Sequence, residues 1–148
     1  VALAWPPSPP PPLLVGAAGP RTLRLAGESA DGTILTGGTS PESLRRARDL
    51  VDEGRRAAGR TGPHRVVVYL HAATGPDAAV RLEAERVRWG HASLEGIAVQ
   101  GDAERMADGL RPLLAAGADT VVLQPTPDDP DPEGFVRFVA EEVRPLLP

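Results

Sequence analysis

The chain has 148 residues, enough for one domain that buries roughly 70% of the surface its unfolded form exposes. Its net charge is -4 with both signs interspersed, and all 16 basic residues are arginine. That leaves no basic stripe to neutralise a nucleic-acid backbone, and no lysine for a Schiff base or a P-loop. Cysteine is absent, which excludes disulfides, thiolate catalysis and cysteine metal sites and fits a cytoplasmic location. No run approaches the ~20 apolar residues of a membrane span.

Residues 1–12 read as a Pro-rich connecting segment, because Pro6–Pro12 supplies few donors to a sheet and favours polyproline II. Val1-Ala2-Leu3-Ala4-Trp5 lacks the basic start and apolar run of a signal peptide. Without an initiator Met, it points to a start inside a larger protein.

Residues 13–148 then alternate between short strands and helices. Leu13–Val15 is a short apolar run closed by Gly16. Pro20 suits the first turn of a helix that continues to about Gly27. Thr33–Thr36 is a second strand ending in Gly37-Gly38. Ser40-Pro41-Glu42 starts a helix with a cap, a Pro at the first position and an acid in the first turn. Leu44, Ala47, Val51 and Ala58 mark its apolar face, Arg45, Arg46, Asp49, Asp52, Arg55 and Arg56 its solvated one, and Gly59 its stop.

Arg65–His71 is the clearest strand, and its unbroken run Val66–Leu70 predicts burial on both faces, as in a parallel sheet. Asp77 to about Trp89 reads as a helix and Ile97–Val99 as a short extended piece. Asp102 caps a helix through Met106, Leu110, Leu113 and Leu114, which Pro112 is expected to kink or end, at ~3 kcal/mol if it stays helical. Thr120–Leu123 is a strand. Asp131-Pro132-Glu133 starts the last helix, with Phe135, Phe138, Val139, Val143 and Leu146 facing inward. The order predicts an α/β fold with a parallel sheet and right-handed crossovers, either an open sheet or about half of a (β/α)8 barrel.

Two loops could carry chemistry. Val15-Gly16-Ala17-Ala18-Gly19-Pro20-Arg21 passes from strand to helix through small residues, so backbone N–H groups and the helix's positive end are open to an anion, and Arg21 adds a charge. Tight turns also use glycine for steric reasons alone. Leu35-Thr36-Gly37-Gly38-Thr39-Ser40 repeats the arrangement at the same end of the sheet, although capping alone accounts for Ser40. The three histidines show no metal-ligand spacing. His71 stands at a strand's C-terminal end, where a packed ring is the simpler reading, while Asp128, Asp129 and Asp131 read as a solvated turn with a helix cap.

The segment Pro12-Leu13-Leu14-Val15-Gly16-Ala17-Ala18-Gly19-Pro20-Arg21, then Leu23-Arg24-Leu25-Ala26-Gly27-Glu28 and Ala30-Asp31-Gly32, resembles the luciferase-like monooxygenase family, most of all its branch using deazaflavin coenzyme F-420. The run Gly117–Pro125 and the end Glu142–Leu147 resemble it too. The resemblance implies a partial (β/α)8 TIM barrel, about strands five to eight of the parallel ring, with coenzyme F-420, or alternatively FMN, at the C-terminal mouth. It also implies a small organic substrate, and hydride transfer or monooxygenation as the reaction.

In deazaflavin relatives the positions of Ala18 and Gly19 hold the cofactor phosphate through the backbone, helped by the position of Thr36. Relatives often carry a basic residue where this chain has Thr39, so Arg21 is expected to supply the charge instead. Residues 89–101 look shortened relative to the family. The groups that serve the reacting ring belong to the family's first strands, so the resemblance assigns no catalytic residue here. It implies either self-association or a need for the missing barrel half, whose absence would wet the inward strand faces, among them Val66, Val68, Leu70, Val121 and Leu123. A non-catalytic half-barrel is the alternative of another class.

Overall fold

The computed structural model describes residues 4–148, so the first three residues of the Pro-rich lead lie outside it. Residues 4–12 form neither helix nor strand and stand exposed. The elements that follow are β1 (Leu14–Gly16), α1 (Pro20–Ser29), β2 (Gly32–Leu35), α2 (Pro41–Ala57), β3 (Arg65–Ala73), α3 (Ala78–Trp89), β4 (Ala98–Gln100), α4 (Ala103–Ala115), β5 (Thr120–Pro125) and α5 (Pro132–Phe138). Ser40 accepts from the Ser43 N–H, Asp102 from Arg105 and Asp131 from Gly134, so all three expected caps form.

Every strand pairing is parallel. β3 is the centre: β2 pairs with Arg65–Val68 and β5 with Val67–Ala72. Because these stretches overlap at Val67 and Val68, β2 and β5 occupy opposite edges. β1 extends the sheet beyond β2, giving the order β1-β2-β3-β5. The extended piece near Ile97 is β4. It pairs with His71–Ala73, continuing past β2 along the same edge.

Burial on β3 alternates over Arg65–Leu70 instead of covering both faces, and becomes continuous over His71–Ala73. Val66, Val68, Leu70 and Ala72 are buried in the main core, where α1, α2, α4 and α5 contribute Leu23, Leu44, Val51, Met106, Leu113 and Phe135. The register puts Val121 and Leu123 of β5 on this same helix-covered face. The inward face is the other one, carrying Leu14, Ile34, Val67, Tyr69 and Val122, all half-buried. The expectation that Val66, Val68 and Leu70 would be wet is therefore corrected by one step of strand parity.

Three smaller expectations also shift. On α2, Gly54 takes the buried position expected of Ala58, which is exposed. Pro112 does not end α4, which runs on to Ala115. Its missing N–H falls in the last turn, and burial of Leu110 and Leu113 holds that turn to the sheet. After Phe138 the path widens to a π turn over Val139–Val143, the Arg144 N–H bonding to the Val139 carbonyl, then tightens to a 3-10 turn. The extra residue shifts the phase, so Leu147 meets the core and Leu146 faces solvent.

Helices α1 and α2 cross at two glycines. A β-carbon on Gly27 would overlap the Val51 carbonyl, and one on Gly54 the Arg24 carbonyl. Both obstacles are backbone, so neither yields by a rotamer change. Gly54→Ala should force the helices apart and destabilise the fold by about 1–3 kcal/mol, read as a lower urea midpoint. An unchanged midpoint would show that the crossing is not this tight. Among the described residues no helix is long and apolar enough to cross a membrane.

Candidate functional site

Parallel pairing puts the β1–α1 and β2–α2 loops at one end of the sheet. The Ala17 N–H donates to the Ile34 carbonyl at 3.2 Å and carries the β1–β2 pairing into the first loop. Between the starts of α1 and α2 lies a cavity of about 340 Å³. Ala17, Leu23, Leu35, Ala47 and Leu50 line it on the apolar side, Ala18, Pro20, Thr36, Thr39, Ser43 and Arg46 on the rest. Of the residues singled out in the sequence, Ala18, Thr36 and Thr39 share this cavity. Gly19 stands between two lining residues without lining it, and Arg21 is exposed outside it.

Gly19 is the residue before α1, with extended backbone at φ -85°, and a β-carbon there would touch nothing. Neither conformation nor packing requires a glycine at that point. No side chain caps α1, Pro20 has no N–H, and the first-turn N–H groups of Arg21 and Thr22 precede any intrahelical acceptor. Thr39 donates its hydroxyl proton to the Thr36 carbonyl at 2.8 Å, leaving its oxygen as an acceptor only. Arg46 is the charge that sequence reasoning missed. It lies one turn beyond Ser43 next to Ala47, so it borders the cavity while staying on the solvated side of α2 as expected. Glu42 partly offsets its charge at 2.8 Å.

A second polar group sits at the same end of the sheet. Arg81 of α3 is 9% exposed and donates to Thr126 Oγ1 and Asp129 Oδ2, both at 2.9 Å, and to the Thr74 carbonyl. The Asp129 side chain is 4% exposed, so this acid is a buried ion-pair partner and not part of a solvated turn. The clasp ties α3 and the loop after β3 to the loop after β5. α3 itself packs apart from the main core, its Leu82 meeting Ala73.

His71 is 5% exposed, and burial holds its imidazole below the ordinary range, against the pull of Glu85 and with a further push from His91. The His71 and His91 rings lie 6.2 Å apart. His64, at the opposite end of β3, hydrogen-bonds Thr33 Oγ1 at 2.8 Å; burial, then Arg55, holds its imidazole low. Among the described residues no cluster of His, Asp or Glu could hold a metal ion.

Residues 1–119 match the family model for luciferase-like monooxygenases. This chain belongs to that family. It is 26% identical to the 5,10-methylenetetrahydromethanopterin reductase of Methanopyrus kandleri, over 90% of this chain and 50% of the relative. The solved coenzyme F420 dependent tetrahydromethanopterin reductase from that organism superposes with a TM-score of 0.71 at 25% identity, covering 93% of this chain and 51% of that one. An F420-dependent secondary alcohol dehydrogenase shares the fold, with a TM-score of 0.75 at 19% identity over 93% of this chain and 49% of its own. The chain thus spans about half the length of the relatives it matches, and the half it matches is the C-terminal one. Its five strands and their helices are part of a (β/α)8 barrel.

Removing one partner of the Arg81–Asp129 pair leaves a buried charge uncompensated. Asp129→Ala should cost about 3–5 kcal/mol in urea unfolding, and loss of under 1 kcal/mol would mean water reaches Arg81.

Proposed function

We propose that this chain supplies the cofactor-phosphate side of a deazaflavin-dependent oxidoreductase, with coenzyme F-420 as the cofactor and a small organic molecule as substrate. The observation that carries the reading is the space at Gly19. The fold would accept a side chain there, yet the position is bare, beside the unbonded first-turn N–H groups of α1 and the cavity lined by Ala18 and Thr36. The similarity to F420-dependent relatives supports the same choice of ligand.

When bound, the cofactor supplies the hydride chemistry, and the protein's part is to hold and orient it. The Arg21 and Thr22 N–H groups meet the phosphate at the positive end of α1. The exposed Thr36 hydroxyl donates from the facing loop. Arg21 adds positive charge beside the start of α1, and Arg46, partly offset by Glu42, borders the cavity; together they take over the role expected of a basic residue at Thr39. Thr39 fixes the loop through its bond to Thr36. Gly19→Val should leave folding intact, because its β-carbon meets nothing, and weaken cofactor binding at least about ten-fold, or ~1.4 kcal/mol. Fluorescence titration of the whole barrel with coenzyme F-420 and, separately, FMN reads this. Equal binding by wild type and variant would remove Gly19 from the site, and a preference for FMN would change the cofactor.

The remaining strands of the barrel come, in this reading, from a complementary four-stranded half. Among the described residues the outer edges of β1 and β5 are unpaired, and such edges invite another strand. Along β5, a groove of about 750 Å³ is lined by apolar residues including Leu110, Leu114, Val121, Leu123, Val136 and Val139. The 148-residue chain alone should therefore associate with itself in sedimentation as concentration rises. A cooperative monomer that turns over the deazaflavin unaided would overturn this.

A further inference from the structure

The Thr36–Thr39 loop has a second side. Outside the cavity's lining, two imidazoles lie against its glycines. A β-carbon on Gly37 would stand 2.8 Å from His71 Nε2, and one on Gly38, whose φ is +88°, would overlap the His91 ring. The segment after α3 presses on the start of α2 as well, since a β-carbon on Gly96 would lie 3.1 Å from Pro41 Cδ. This stretch between α3 and β4 thus braces the loop that carries Thr36.

We propose that His71 and His91 form a titratable floor beneath the Thr36–Thr39 loop, so that an anion bound at the mouth and a single proton taken up by the pair stabilise each other. The inference rests on the anion site proposed above. One imidazolium under the loop attracts a phosphate-like dianion across it, whereas two at this separation repel.

The other charged groups around the pair fit a single proton. Glu85 of α3 faces His71 electrostatically, and its side chain is buried, accepting from Trp89 Nε1 at 2.8 Å and pairing with Arg88 at 3.4 Å. Arg86 holds the His91 carbonyl at 2.7 Å and pairs with Glu83. On α2, Arg46 is paired with Glu42 at 2.8 Å. Burial keeps His71 low in the free protein, and a bound anion opposes that shift. By linkage, whatever the anion adds to proton affinity, the proton adds to anion affinity.

Sulfate is the probe, because it stays a dianion across the histidine range. Histidine ring Cε1–H shifts are followed from about pH 5 to 8 with and without sulfate, at constant ionic strength in chloride, alongside backbone amide shifts. Amides of residues 19–23 and of Thr36 should respond saturably to sulfate. The titration midpoint of His71 should rise, and sulfate should bind about five-fold more tightly at the acidic end. His64, at the far end of β3, is the control and should not move. His71→Gln and His91→Gln together should flatten the pH dependence of sulfate binding. Responding amides with unmoved midpoints would overturn the coupling and leave the anion site standing. Equal movement of all three histidines would reduce the effect to general screening and overturn it too. No response in either region would overturn both readings.

Discussion

The parallel pairing of β3 is the constraint on which the molecule is built. Its nine residues hold β2 and β4 along one edge and β5 along the other. Each parallel neighbour requires a crossover; the crossover helices α1, α2 and α4, with α5 after the last strand, lie on one face, against Val66, Val68, Leu70 and Ala72. The same geometry gathers every strand-to-helix loop at one end. The candidate cavity, the Arg81 clasp and the histidine pair are neighbours for this reason, although the residues involved run from Ala17 to Asp129.

Packing sets how closely the first two helices lie. The glycine crossing of α1 and α2 brings their backbones together at Gly27 and Gly54, towards the ends of both helices away from the cavity. At the other side of the mouth the contacts are polar. Arg81 donates to acceptors on Thr74, Thr126 and Asp129, so a buried charge pair and its hydrogen bonds hold the loops after β3 and β5 together. Such a pair contributes little net stability over an apolar substitute, but it admits few alternative arrangements, which suits a rim that must keep one shape.

The concave face is a different surface from the helix-covered one. Leu14, Ile34, Val67, Tyr69 and Val122 are half-buried there, apolar enough to form the interior of a closed ring and too exposed to be a finished core. Among the described residues the outer edges of β1 and β5 are also unpaired, so this face and both edges are the least satisfied parts of the sheet.

Much of this was legible in the chain itself. Caps at Ser40, Asp102 and Asp131, the glycine-bounded strands and the βα alternation follow from local chemistry: a side chain that bonds its own backbone, or a residue that cannot. The loops at Ala18 and Thr36 were legible for the same reason, because strand end, small residues and helix start are consecutive. What the sequence could not decide were relations between distant segments. Which parity of β3 faces the helices depends on the register with β2 and β5. That the exposed Arg46 borders the cavity depends on where α1 lies beside α2. Asp129 reads as a solvated turn residue until Arg81, 48 positions away, is folded against it. The histidines show no spacing that links them, and only the tertiary fold lays both rings under one pair of glycines. Local propensity acts over a turn or two of chain, whereas burial and charge pairing are set by whatever the completed fold brings alongside.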